Sequence, residues 1–241
     1  LEKLVQAMQE IKAEEDSRVN SYEIFVNQKQ THIRNSRGVN VTFSGFDCEI
    51  EVVTNSRKDD HEIEIYKDLR FSDKSAEKII AEVRGMFHTG RQRLNAVPTR
   101  QNEHADVLLT GNAVGSFFQY FAMHTNASYQ YMGVAKAKIG EAITGADADP
   151  LNIRLVPTLD GSAKNAPYDE TGMPVAERVL FENGICRSYW GSLQHAHYIG
   201  MKDTTSMNNM VVEGGSKTLD ELRSMPHIEI TDFSAFDMDA V

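Results

Sequence analysis

The chain changes hydrophobic period twice. Residues 1–15, LEKLVQAMQEIKAEE, place Leu1, Leu4, Val5, Met8 and Ile11 on one face, the spacing of an amphipathic helix. From Asp16 to Phe71 the period drops to two. SYEIFVNQ, THIRNS, GVNVTFSGF, CEIEVVTNS and HEIEIYKDLRF alternate and are rich in β-branched and aromatic residues, which predicts a run of antiparallel strands. Turns are expected at Asn27-Gln28-Lys29, at Ser36-Arg37-Gly38 and across Asn55 to Asp60. A helix follows, capped by Ser72 or Asp73, with a stripe of Ile79, Ile80, Val83, Phe87 and Leu94. The polar stretch NAVPTRQNEH (95–104) reads as a linker.

Beyond the linker the pattern is shorter and mixed. A strand is expected at 106–109. A helix over about 112–124 carries Ala113, Val114, Phe117, Phe118 and Phe121 on its apolar face. Residues 125–150 carry no clear period. LNIRLVPTL is a strand, and RVLFENGICRSYW is a hairpin. Its Asn183-Gly184 turn reaches the positive φ of a type I′ turn at low cost. A short helix over 191–200, a strand in MNNMVVEGG, a helix capped by Thr218 and a last strand in HIEITDF complete the series. The fold class is therefore α+β. An antiparallel sheet with helices occupies 1–100, and a second α/β unit occupies 105–241.

Composition changes this picture little. With 41% hydrophobic and 25% charged residues in 241, the chain is a folded globular type. No apolar run approaches the roughly 18 residues of a membrane span, so no membrane partner is expected. The net charge of −10 disfavours nucleic acid as a partner, because an acidic surface repels phosphate. Two cysteines, Cys48 and Cys186, make no disulfide framework and suit a cytoplasmic protein. Residue 1 is Leu, so a native start, and a leader with it, is expected to be missing.

Candidate chemistry is sparse. None of the eight histidines forms HExxH or HExxxH, and CxxC is absent. His195-x-His197 could share a metal on a strand but not on a helix, where i and i+2 point roughly 200° apart. Ser116 lacks the Gly-x-Ser-x-Gly context of a nucleophile. Gly111-Asn112-Ala113-Val114-Gly115 sits at a helix start, where N–H groups could meet an anion. Close packing of helix on strand explains the glycines equally. Asp160, Asp169 and Glu170 flank a polar loop and could act in acid/base chemistry only by converging in space.

Several stretches, in order, resemble the TldD/PmbA family of peptidases, also labelled modulators of DNA gyrase. They are RNSRG (34–38), VLLTGNAVGSFF (107–118), KIGEAI (138–143), YDETGMP (168–174), RVLFENGICRSYW (178–190) and MVVEGGSKTLDEL (210–221). In the family's metal-bearing subunits, HExxxH opens the helix that starts near residue 111. The resemblance places its His, Glu and His on Gly111, Asn112 and Ser116. Glycine has no side chain, asparagine takes no proton, and serine is a poor neutral zinc ligand. The resemblance therefore implies a metal-free, PmbA (TldE)-type subunit without a catalytic residue or metal ligand of its own. Zinc is expected only in a HExxxH-bearing partner.

The implied partners are a second copy or a TldD-type subunit, and the implied ligand is unfolded peptide held in a chamber between them. Asn112, Ser116, Asn208 and Asn209 are the candidate peptide contacts. The resemblance also implies that this chain is the middle domain and the front of the third domain of a longer protein, with further β-rich sequence after residue 241. Two other readings remain open: a homodimeric, non-enzymatic peptide-binding scaffold of the same fold, and an enzyme using Asp160, Asp169 and Glu170 with a metal.

Overall fold

The computed structural model describes residues 2–235 except 12, 74, 100, 102, 103, 146 and 234. Leu1, assigned above to the first helical stripe, lies outside the described residues. The chain divides into two compact units. One comprises Leu1–Arg100 with Leu159–Asn165; the other comprises Gln101–Thr158 with Ala166–Val241.

The first unit is a three-stranded antiparallel meander with two helices. Helix α1 (Glu2–Glu10) leads into strands β1 (Ser17–Arg34), β2 (Asn40–Lys58) and β3 (His61–Phe71), then helix α2 (Ala76–Leu94). The sheet order is β1-β2-β3. The register sets Ile24 opposite Ile50 and Ile50 opposite Leu69. Alternation then sends Ile50, Val52, Leu69 and Phe71 to the face where Ile79, Val83 and Phe87 of α2 and Met8 of α1 complete the core.

Five alternating segments thus become three strands, and two turn expectations are corrected. Asn27, Gln28 and Lys29 do not turn; they pair with Asp47, Phe46 and Gly45 in mid-strand. These polar residues sit where the sheet is only two strands wide and open to solvent, so they can stay in the ladder without burial cost. Asn27 Nδ2 donates to Asp47 at 3.0 Å, and Lys29 pairs with the same carboxylate at 3.1 Å. The turn expected across Asn55 to Asp60 shrinks to Asp59-Asp60, because Asn55 to Lys58 remain paired with β3. The turn at Ser36-Arg37-Gly38 is present. Gly38 has φ +89°, and Asn35 Oδ1 accepts from the Arg37 and Val39 amides.

The cap of α2 is Ser75, not Ser72 or Asp73. Its hydroxyl accepts from the Lys78 amide, while the Ser72 amide donates to the Gly161 carbonyl at 3.0 Å. Helix α2 approaches β2 closely at Gly90. A Cβ there would come within 2.2 Å of Ser56 Oγ, so only glycine fits. Ser56 and Ser17, both buried, hydrogen-bond each other at 2.8 Å beneath it.

The second unit opens with β4 (Val107–Leu109), α3 (Asn112–His124) and α4 (Ala127–Met132), the last filling part of the stretch that carries no readable period. Asn126 caps α4, and Gly133 ends it at φ +74°. Then come β5 (Ile153–Val156), β6 (Arg178–Glu182), β7 (Ile185–Cys186), α5 (Leu193–Tyr198), β8 (Asn209–Val212), α6 (Leu219–Arg223) and β9 (Ile228–Ile230). Four strands form a sheet of order β7-β6-β5-β8, while β4 and β9 pair in parallel. Asn183 and Gly184 at the β6–β7 hairpin have φ of +51° and +76°. Thr218 caps α6 through a capping box with Glu221. Ile153, Leu155, Leu180, Phe181 and Cys186 form the core with Phe121 of α3. The protein is α+β, with antiparallel sheets and helices. Among the described residues, no helix is long and apolar enough to cross a membrane.

Candidate functional site

Helix α3 begins at Asn112, with Gly111 as its N-cap. Gly111 supplies no side-chain cap and has φ +56°. The backbone after β9 takes the place of that cap. The Thr231 carbonyl accepts from the Ala113 amide at 3.2 Å, and the Ile230 carbonyl accepts from the Thr110 amide at 3.0 Å. The Thr231 carbonyl also lies where a side chain at 111 would start, 2.8 Å from an ideal Cβ. Both the backbone conformation and the occupied space require glycine at this position. Gly115, one turn further on, differs: a Cβ there would meet nothing within 4 Å. Close packing explains Gly111 alone.

Asn112 is exposed at the first position of α3, and Ser116 is partly exposed one turn later. Ser116 Oγ donates to the Asn112 carbonyl at 3.3 Å, an ordinary back-bond within the helix. These residues do not fit a zinc ion. Gly111 cannot carry an imidazole in this backbone, and neither Asn112 nor Ser116 is ionised. Among the described residues, no three His, Cys, Asp or Glu side chains come together as a metal-binding group. His195 and His197 lie on α5, a helix, so they do not converge. His195 Nδ1 is 2.9 Å from the hydroxyl of its cap, Ser192.

A groove of about 440 Å³ opens elsewhere in this unit, lined by segments 168–171, 190–192 and 206–208. Each segment is held by side chains bonded to backbone. Asp169 Oδ1 accepts from the Thr171 amide, the Thr171 hydroxyl and the Met173 amide; its Oδ2 accepts from Ser206 Oγ. That carboxylate closes the turn and ties it to the third segment. Trp190 Nε1 donates to the Ala122 carbonyl of α3 at 2.8 Å, and Thr204 Oγ1 donates to the Gly191 carbonyl at 2.8 Å. Glu170 is exposed, and no lysine or arginine lines the groove. The groove therefore presents one indole, one thioether, several hydroxyls and amides, and acid without base.

The carboxylates considered for acid/base work are divided between the two units. Asp160 belongs to the first unit, whereas Asp169 and Glu170 belong to the second. Asp169 is committed to four hydrogen bonds. Of the candidate peptide contacts, Asn208 lines the groove, and its amide donates to the Ala166 carbonyl at 3.2 Å. Asn209 is buried, with its amide 3.3 Å from the Val156 carbonyl, so it serves the β5–β8 pairing. Asn112 and Ser116 are not among the groove-lining residues.

Tyr168, Trp190, Ser192, Ser206 and Met207 went unnamed in the sequence reading. YDETGMP and the end of RVLFENGICRSYW were the available signal: two segments that carry the resemblance also carry groove walls.

Three further groups are shielded. Cys186 is buried, and burial pushes its thiol up to about 11; burial also raises the Cys48 thiol. His124, at the end of α3, is fully buried, and its Nδ1 accepts from the Lys136 amide at 3.1 Å. Burial first, and the Lys136 charge second, hold its pKa below the ordinary value.

Comparison with known proteins agrees with this architecture. A sequence search of curated proteins finds no match. The fold resembles TldE from Thermococcus kodakarensis, with a TM-score of 0.70 at 19% identity over 92% of this chain and 53% of that one. It also resembles candidate modulators of DNA gyrase from two bacteria. The Thermotoga maritima protein has a TM-score of 0.66 at 18% identity, covering 92% of this chain and 53% of that one. The Bacteroides thetaiotaomicron protein has a TM-score of 0.68 at 17% identity, covering 96% and 54%. The chain thus spans about half the length of these solved relatives. Residues 102–241, which hold both the start of α3 and the groove, match the profile of the PmbA/TldA metallopeptidase C-terminal domain, and the chain belongs to the PmbA/TldD family.

Proposed function

We propose that this chain is the metal-free, peptide-holding subunit of a TldD/PmbA-type peptidase. It forms one wall of an inner chamber whose zinc is carried by a HExxxH-bearing partner. Gly111 carries this reading. A chain that had merely lost its metal ligands by substitution could keep a helical backbone able to take histidine back. Here the Thr231 carbonyl stands 2.8 Å from the Cβ position, and φ is +56°, so the local fold is built around the missing side chain. No reaction step is assigned to this chain's residues.

Peptide contact falls to exposed and partly exposed amide and hydroxyl groups. Asn112 and Ser116 on α3, and Asn208 in the groove, can exchange hydrogen bonds with an extended main chain. Trp190 and Met207 offer apolar surface for side chains. Glu170, without a cation in the lining, favours neutral or basic peptides over acidic ones. A cytoplasmic location belongs to the same proposal.

The test is metal content together with casein cleavage, using the full-length protein alone and mixed with a HExxxH-bearing family member. The expected result is no stoichiometric zinc and no cleavage alone, with chelator-sensitive cleavage in the mixture. About one zinc per chain with cleavage by the isolated protein would overturn the proposal. Absence of any effect on the partner, with peptide still bound, would favour the non-enzymatic scaffold.

A further inference from the structure

The groove of the second unit has walls of two kinds. One is apolar. Trp190 and Met207 are half-buried; both pack against the unit's core and both line the groove. Trp190 is held firmly. Its amide donates to the Thr125 carbonyl at 3.1 Å, and its carbonyl accepts from the Ala127 amide at 2.7 Å. Its indole N–H, the only hydrogen-bonding group an indole has, is used by the Ala122 carbonyl. What Trp190 offers a ligand is therefore ring carbon and its π electrons. Met207 adds a polarizable thioether.

The other wall is acidic. Asp169 and Glu170 line the groove, and no lysine or arginine does. Every donor to Asp169 is a neutral amide or hydroxyl, so no positive charge offsets it. Glu170 is exposed, and among the described residues it has no hydrogen-bond or ion-pair partner. Arg178 reaches the neighbouring Tyr189 carbonyl, but its charge is paired with Asp203 at 2.7 Å. The two walls together select among occupants. An acidic group meets like charge. A purely apolar side chain fits the indole and thioether but leaves the carboxylates without a cation. A lysine or arginine side chain has both halves, an apolar stem and a charged head. A cation beside an indole also gains from the ring's quadrupole. The volume of about 440 Å³ lies in the range of small-ligand sites, roughly 300–1,000 Å³.

We infer that the groove is a subsite for a positively charged group of the bound peptide. That group is an ammonium or guanidinium lying against Trp190 and Met207 and facing Glu170. The inference deepens the proposed function and rests on its peptide-holding reading, but not on zinc or on a partner subunit.

The experiment is fluorescence anisotropy of the full-length protein with short alanine-based peptides labelled at the C-terminus. One is N-acetylated and carries a single arginine. One carries norleucine, which keeps an apolar stem without charge, and has a free N-terminus. The third is the N-acetylated norleucine peptide. Each is titrated against the unaltered protein, Glu170→Gln and Glu170→Lys. Glu64→Gln, an exposed carboxylate of the first unit, is the charge control. Circular dichroism of each variant confirms the fold. The expected result is that one or both charged peptides bind about tenfold more tightly than the neutral one. Which of them does so names the side chain or the terminus as the source of the charge. The preference should shrink to about twofold in Glu170→Gln, vanish in Glu170→Lys and persist in Glu64→Gln. Equal binding of all three peptides to the unaltered protein overturns the inference and leaves the peptide-holding subunit standing. So does a preference that Glu170→Gln leaves unchanged or that Glu64→Gln lowers as much, since the net charge of −10, and not the groove, then draws the cation. Failure of every peptide to bind overturns both.

Discussion

Each of the two units is held together internally by its own kind of contact. In the first, β1 pairs with β2 and β2 with β3, each a neighbour in sequence, and residues of α1 and α2 cover one face. In the second, β4 pairs with β9 near the other end of the chain, and β5 sits between β6 and β8. The first unit's order follows from local alternation and hairpin closure. The second unit's order depends on distant segments meeting, and the groove lies between such segments. The difference teaches where the chemistry-bearing surface can arise. Three loops distant in sequence are pinned by Asp169, Trp190 and Thr204 into one wall, which no meander of neighbours would assemble.

The strongest way to break this comparison is to open a cavity in each core. Phe87 and Phe181 are almost fully buried. Phe87→Ala and Phe181→Ala should each cost about 3–5 kcal/mol. If the units are separate cooperative bodies, calorimetry will show each substitution lowering a different transition. One shared transition lowered by both would remove the distinction.

Next comes the start of α3. Gly111→His should cost about 1–3 kcal/mol from the positive φ alone, with the Thr231 clash added. Gly115→Ala, facing open space in the same helix, should stabilise by about 1 kcal/mol. Denaturant titration of the pair decides. Equal effects would mean that Gly111 is not specially constrained, and the metal-free reading would lose its main support.

Asp169→Ala should cost about 1–3 kcal/mol, because two amides and two hydroxyls lose their acceptor. Hydrogen exchange at Thr171 and Met173 should accelerate locally, while β1–β3 stays protected. Unchanged exchange at 171 and 173 would show that the loop is held by something else.

His124 gives a smaller, pH-dependent term. Its pKa in the fold lies below the ordinary 6.5. As pH falls below 6.5, the unfolded chain binds a proton that the folded chain resists. Stability is therefore fully present above that value and is lost progressively toward the folded pKa. The melting temperature of His124→Gln should fall less steeply over the same range; parallel slopes would exclude His124 as the source.

The smallest effect is chemical. Cys186, with its thiol raised to about 11, should resist alkylation at neutral pH until the second unit unfolds. Rapid native labelling at Cys186 would mean that this core opens easily.

Most of the secondary structure was legible in the sequence because period and caps are local properties. The Asn183-Gly184 hairpin, the Thr218 capping box and the stripe of α2 each depend on residues within a turn or two. The failures were equally physical. Asn27-Gln28-Lys29 looks like a turn, yet an uncovered ribbon accepts polar residues in its ladder. Ser72 looks like a cap, yet its amide is used by Gly161.

The chain by itself determined that no HExxxH opens α3, that the units are α+β, and that acid outweighs base. Those are matters of composition and short-range pattern. Only the tertiary structure decided that Gly111 must remain glycine, because the blocking carbonyl comes from Thr231, far along the chain. It also decided that Asp169 clasps a turn through four hydrogen bonds, and that Asn208 faces a groove while Asn209 is buried. Each of these depends on which distant backbone atom occupies a particular few ångströms, and a one-dimensional pattern carries no such information.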